Sequence, residues 1–227
     1  MAEALASKLI AELGDRMAAL ILYGSAVRGG FDSKVSDINL LIVLRETSPE
    51  LHTKLQTALK DEPRVQAMVV GLHDLERTML HFGLKFLSIR RSYRVLYGQD
   101  VLASFSLDRS RHCEQAEEAL RNLQLRLSRA YVLPPQPRRY SRYVVANFAS
   151  LVVNLSEALR LRDVELPVEF PARMPLLRQH FGAEVSALEE LLELRKAPRE
   201  LSRDEAAALH TRLLALIAKA LQGLGTP

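Results

Sequence analysis

The spacing of apolar residues divides the chain into two halves of different character. In the first half, three mostly apolar runs cover residues 17–23, 38–44 and 64–72. Runs of this length that end at glycine or at polar residues are typical of strands buried in a sheet. Segments with helical spacing of apolar residues separate or flank them, at residues 2–13, 49–59 and 73–82. The pattern therefore predicts a small mixed α/β sheet with helices between its strands.

Local signals set several boundaries in this half. Gly14 is a candidate C-cap of the first helix, and Gly24 closes the first strand. Ser48 is a candidate N-cap, and Pro49 then occupies the first helical position. The secondary structure of residues 85–102 stays open between a strand and a short helix, because β-forming residues there are mixed with a Tyr-Gly turn.

The second half repeats apolar residues only with helical spacing. The repeats predict four amphipathic helices that pack as an antiparallel bundle, over residues 110–132, 140–161, 183–194 and 203–220. Ser202 with Glu205 forms a capping box at the start of the last helix. Pro167, Pro171 and Pro175 indicate an extended connection. We predict an α/β domain over residues 1–108 and an all-α helical domain over residues 109–227.

Composition narrows the class of protein. The net charge of +4 is compatible with phosphate-bearing ligands, but it is far below that of a dedicated nucleic-acid-binding arm. The absence of Trp and the small aromatic fraction also argue against a base-stacking surface. A single cysteine, no signal-peptide pattern and no apolar run of about 18 residues predict a cytoplasmic protein that makes no membrane contact.

Candidate chemistry is concentrated between the first two strands. Gly24 would let backbone N–H groups approach a phosphate closely, and Ser25 adds a hydroxyl where a short helix is predicted to begin. Arg28 lies one helical turn further on, within reach of the same phosphate. Asp37, at the head of the second strand, offers a carboxylate oxygen of the kind that Mg²⁺ prefers.

These residues carry a resemblance to a known family. A Gly-Ser turn after a buried strand, a spacer and then Asp37-Ile38-Asn39 resembles the nucleotidyltransferase superfamily, which has a DNA polymerase β-like fold and the pattern Gly-Ser followed by Asp-x-Asp. The segment 93–100 is similar to the Arg-Val-Leu-Tyr-Gly-x-Asp stretch of many bacterial members. Those members resemble kanamycin nucleotidyltransferase and the minimal nucleotidyltransferases that pair with helical partners. The resemblance implies binding of a nucleoside triphosphate and transfer of its nucleoside monophosphate to a hydroxyl group.

The chain departs from the family pattern at its acids. Asn39 stands where the family has the second Asp, and it brings a carbonyl oxygen without charge. The third predicted strand contains no acid, and Gln66 is its only uncharged polar side chain. The nearest acids on either side of that strand are Asp61, Glu62, Asp74 and Glu76.

The number of carboxylates available to hold metal ions decides what function we expect. Two catalytic ions about 4 Å apart need several carboxylates between them. With Asp37 as the metal ligand and Asn39 beside it in the catalytic position, we expect one Mg²⁺ rather than two, and weak or no transfer. The alternative is a catalytically inactive module that binds a nucleotide or another protein. A homodimer formed through the helical domain is also an expectation.

Overall fold

The computed structural model describes residues 2–27, 37–133 and 137–224, and it leaves out the side chains at positions 25, 137 and 138. The chain divides into two compact units, Met1–Leu107 and Asp108–Pro227. The first unit combines a sheet with helices, whereas the described residues of the second contain helices and no strand. The predicted fold class, a mixed sheet followed by a helical region, is confirmed.

The sheet of the first unit has four strands among the described residues. They are β1 (Met17–Tyr23), β2 (Ile38–Leu44), β3 (Val65–Gly71) and β4 (Tyr93–Gly98). Their spatial order is β3-β2-β1-β4, so β1 and β2 are central. β1 pairs antiparallel with both β2 and β4, whereas β2 pairs parallel with β3. The central position explains why β1 and β2 are almost continuously apolar, because both of their faces are covered.

Helices cover both faces of this sheet. On one face, α1 (Ala2–Leu13) and α2 (Pro49–Leu59) share an apolar cluster with the strands. On the other face, α3 (Leu72–His81) and α4 (Gly83–Arg90) contribute to a second cluster. The Ser48 hydroxyl accepts a hydrogen bond from the backbone N–H of Leu51 at 3.2 Å, which confirms the predicted cap of α2.

Residues 85–102, whose secondary structure the sequence leaves open, contain both a helix and a strand. α4 covers the beginning of this stretch, and β4 follows after a two-residue turn. Gly98 ends β4 with a φ of +76°, and a Cβ there would overlap the carbonyl oxygen of Ala18. The Tyr93 hydroxyl donates to the Asp100 carboxylate, with the shorter of two oxygen distances at 2.9 Å. The segment that supports the family resemblance therefore anchors the edge of the sheet.

The described part of the second unit contains six α-helices rather than the four that the apolar stripes predict. α5, α7 and α10 pack against one another. α10 begins with the predicted capping box, in which the Ser202 hydroxyl and the Glu205 side chain each accept from the other residue's backbone N–H. The six helices are α5 (Arg109–Val132), α6 (Pro137–Ala146), α7 (Phe148–Arg160), α8 (Met174–Phe181), α9 (Ser186–Lys196) and α10 (Arg203–Gln222).

Two predictions about this unit are wrong. The single helix predicted over residues 140–161 is interrupted at Asn147, whose side-chain amide donates to the Tyr143 carbonyl oxygen at 2.9 Å. Asparagine competes in this way with the helical pattern of the backbone. Pro175 does not extend a connection but lies in the first turn of α8, where its missing N–H is no loss. No helix in the described stretches has both the length and the apolarity to cross a membrane.

Candidate functional site

The turn that follows β1 depends on Gly24. Its φ of +83° lies in the left-handed region that favours glycine. The Gly24 N–H donates to the carbonyl oxygen of Ser92 at 3.1 Å, and the Ser92 hydroxyl donates back to the Gly24 carbonyl oxygen at 3.4 Å. Because Ser92 immediately precedes β4, these bonds fix the turn against the start of that strand.

The bonds to Ser92 change which N–H groups could meet a phosphate. The Gly24 N–H is engaged, and the Val27 N–H donates to the Gly24 carbonyl oxygen at 3.1 Å. Residues Gly24–Ala26 form a short 3-10 turn, whose bonding pattern pairs the Ala26 N–H with the Tyr23 carbonyl oxygen. No backbone hydrogen bond to another described residue engages the Ser25 N–H. An unengaged N–H after a residue of positive φ suits an anion. The predicted phosphate contact thus moves from Gly24 itself to Ser25.

The structure brings Asn39 to this turn. Asn39 lies in β2, is half-buried and pairs with Tyr23, the last residue of β1. A Cβ added to Gly24 would lie 3.3 Å from the Asn39 amide nitrogen, Nδ2. Asp37 comes directly before β2 and is exposed. Arg28 and the Ser25 side chain lie outside the described part of the chain, so their predicted roles stay predictions.

Strand pairing places four side chains in a row across this end of the sheet. Tyr23 pairs with Asn39 on one side and with Tyr93 on the other, and Asn39 pairs with Gln66 on β3. Paired residues on neighbouring strands project from the same face. Tyr23 and Tyr93 pack on the cluster beneath α3 and α4, so this is the face that the row occupies. We call Gln66, Asn39, Tyr23 and Tyr93 the end row.

The topology separates the acids that follow the third strand from the end row. β3 runs parallel to β2, with Asn39 opposite Gln66 and Leu44 opposite Gly71. Asp74 and Glu76 follow Gly71 and therefore lie at the far end of the sheet, where Asp74 pairs with His73 at 3.0 Å. Gln66 consequently occupies the position on β3 nearest to Asn39.

The residues present do not fit a site for two metal ions. The donor set beside the turn consists of one exposed carboxylate, Asp37, and the amides of Asn39 and Gln66. The described residues contain no group of three or more His, Cys, Asp or Glu side chains that could hold a metal. Two of these three ligands are neutral amides, whereas a pair of divalent ions requires several charged ligands.

A lysine that sequence reasoning missed lies against the end row. The Lys85 ammonium group, on α4, lies 5.2 Å from the centre of the Tyr23 ring. Phe86 and Ile89 of the same helix are buried in the cluster beneath it. Burial lowers the pKa of Lys85 and raises the pKa of Tyr23. The available signal was a lone cation within the apolar stretch Gly83-Leu84-Lys85-Phe86-Leu87.

The polar side chains at this end of the sheet have few partners within the protein. Within the described ranges, no side-chain hydrogen bond or ion pair engages Asp37, Asn39, Gln66 or Lys85. Lys85 has its cation–π contact with Tyr23. Together with the Ser25 N–H, the arrangement offers a ligand the N–H donors of Lys85 and of the two amides, and it offers as acceptors the Asp37 carboxylate and the two amide oxygens.

No protein-family model matches the chain, and no curated protein matches it. What the protein does must therefore be inferred from its residues and from the geometry of the turn.

Proposed function

We propose that the chain is a protein of the nucleotidyltransferase superfamily whose first unit binds a nucleoside triphosphate at the Gly24–Ser25 turn. The observation that carries the proposal is the turn at Gly24, a glycine of positive φ that is followed by Ser25, whose N–H makes no backbone hydrogen bond to another described residue. The sequence pattern around the turn and the contact between Gly24 and Asn39 support the same reading. Phosphate is the anion that such turns bind in many nucleotide sites.

The proposed activity stops at binding, with transfer weak or absent. Transfer of a nucleoside monophosphate to a hydroxyl of a small molecule or protein would need carboxylates to hold two ions. Asp37 is a single exposed carboxylate, and Asn39 and Gln66 are neutral. A Mg²⁺ ion that arrives on the triphosphate would thus gain one charged ligand, Asp37, from the residues around the turn.

The helical unit supports a second proposal, a role in protein interaction. Leu125 and Val132 lie seven residues apart on α5, hence on one face, and they are 69% and 64% exposed. Leu133 follows them and is 63% exposed. We propose that this face joins two copies of the chain. Analytical ultracentrifugation tests the proposal, because Leu125→Glu with Val132→Glu should convert the dimer to a monomer, and a monomeric wild type would contradict it.

Nucleotide binding is tested by calorimetric titration of ATP, GTP, CTP and UTP, each with and without Mg²⁺. We expect at least one nucleotide to bind the wild type and Gly24→Ala to lose that binding. Gly14→Ala is the matched control, since Gly14 also has a positive φ of +48° but nothing within 4 Å of an added Cβ. Absence of binding by every nucleotide would contradict the proposed function.

The limit on transfer is tested by introducing acidic side chains at positions 39 and 66. We expect pyrophosphate release by the wild type to stay at background, and Asn39→Asp combined with Gln66→Glu to raise it in the presence of Mg²⁺. The structure selects Gln66 as the second position because it lies opposite Asn39. Efficient release by the wild type would contradict the claim that missing carboxylates limit the site.

A further inference from the structure

The end of the sheet beside Gly24 is equipped with donors rather than with acids. The amides of Asn39 and Gln66 each offer an NH2 group and a neutral carbonyl oxygen, and the Lys85 ammonium group offers three N–H donors. None of these side chains is hydrogen-bonded or ion-paired to another described residue. Asp37 adds one exposed carboxylate. This donor set suits the bare oxygens of a phosphate better than it suits a divalent cation.

We propose that this site recognises the phosphate groups of a nucleotide without a divalent cation, and that Lys85 supplies the positive charge in its place. The inference rests on the function proposed above, because it concerns the same turn. It goes further by naming the charged residue and the ionic form of the nucleotide that binds.

The position of Lys85 supports this role. Its helix packs on the face of the sheet that carries the end row, and its ammonium group contacts Tyr23, which is the neighbour of both Gly24 and Asn39. The ammonium group is attracted to the face of the Tyr23 ring by a cation–π interaction. No carboxylate among the described residues lies within ion-pair distance of Lys85. Its charge is therefore not neutralised within that part of the protein.

The Lys85 side chain is exposed, but its surroundings remove part of the water around the ammonium group. This desolvation lowers the pKa of Lys85, because it disfavours the charged form. A phosphate oxygen beside the ammonium group would reverse that effect, because an opposite charge favours the protonated amine. A charge-assisted bond of this kind is stronger than one between neutral groups. A Mg²⁺ ion on the same phosphate oxygens would compete with Lys85 for them.

The test is a calorimetric titration of ATP into the full chain, first in excess EDTA and then in Mg²⁺. We expect ATP to bind in EDTA at least as tightly as in Mg²⁺. Lys85→Met keeps an unbranched apolar side chain at this position and removes the charge, so it should weaken binding in EDTA about tenfold or more. Lys85→Arg should retain most of the affinity. Lys8→Met, on the exposed side of α1 across the sheet, should match the wild type.

Each outcome bears on the inference. Binding that occurs only in Mg²⁺ would overturn it while leaving the proposed nucleotide binding intact. Wild-type affinity in Lys85→Met would overturn the role of the lysine. No binding of ATP in either buffer would overturn the inference, and the same result with GTP, CTP and UTP would overturn the proposed function as well. The comparison of the two buffers uses the wild type alone, so it holds even where a variant fails to fold.

Discussion

Polar side chains serve different purposes in the two units. In the helical unit, the Glu157 carboxylate is 1% exposed and contacts His112 Nε2 and Arg160 Nη1, each at 3.0 Å. The hydroxyl of buried Tyr140 lies 2.8 Å from Nδ1 of His210. Burying a polar or charged group is costly unless it is paired, and here the pairs are made within the protein.

In the sheet unit, the polar side chains of the candidate site lack such pairs. Asn39, Gln66 and Lys85 make no hydrogen bond or ion pair with another described residue, and each keeps some contact with solvent. Unpaired groups at the surface do little for stability, but they are available to a ligand. The paired groups contribute to the stability of the helical unit, and we propose that the unpaired groups in and beside the end row serve binding.

The largest expected effect is on stability, in the helical unit. Glu157→Ala should lower the free energy of unfolding by about 3 kcal/mol, because it leaves the His112 and Arg160 side chains without their buried partner. Asn39→Ala is the matched change in the sheet unit, and it should lower the same free energy by about 0.5 kcal/mol or less. Urea denaturation followed by circular dichroism measures both. Equal losses of unfolding free energy in the two variants would contradict the contrast between the units.

A smaller effect concerns the turn itself. Gly24→Ala and Gly14→Ala should each cost about 1 kcal/mol of stability, because both residues have positive φ. Gly24→Ala should cost more, since its Cβ would press on the Asn39 amide at 3.3 Å. Removing that amide as well, in Gly24→Ala with Asn39→Ala, should recover about 0.5 kcal/mol. A double-mutant cycle measured by thermal denaturation tests this coupling. Additive losses of stability would show that the two residues do not interact.

The smallest expected effect is a dependence on pH in the helical unit. Burial lowers the pKa of His210 below its ordinary value of 6.5, so the folded protein holds the ring neutral. The neutral ring leaves Nδ1 free to accept from the Tyr140 hydroxyl. Stability from this residue is present above pH 6.5 and is lost as the pH falls through the lowered value. Urea midpoints at pH 7.5 and 5.5 should therefore differ less in His210→Gln than in the wild type. An unchanged difference would contradict this assignment.

The elements that sequence predicts well are those with local signals. Gly24 closes β1, and Ser48 with Pro49 begins α2, because each acts within a few residues of its own position. The break at Asn147 was missed since the apolar stripe continues across it. Periodicity reports which face is buried, and it does not report a side chain that competes for the backbone.

The sequence predicts only those residues of the candidate site that lie close together in the chain. Gly24, Asp37 and Asn39 lie close together in the chain, so their pattern is visible in the sequence. Gln66 and Lys85 reach the same place through strand order, register and the position of α4. Those relations between distant segments follow from packing of the whole sheet, which hydrophobic spacing alone does not determine.

The most direct test of the central claim follows the side-chain amide groups by NMR during titration with ATP. The account predicts that the amide resonances of Asn39 and Gln66, assigned from the spectra of Asn39→Ala and Gln66→Ala, shift and saturate at the same ATP concentration. The amide of Asn147, which donates to the Tyr143 carbonyl oxygen within the helical unit, should stay unchanged. Unmoved resonances of Asn39 and Gln66 at saturating ATP would contradict a nucleotide site at this end of the sheet.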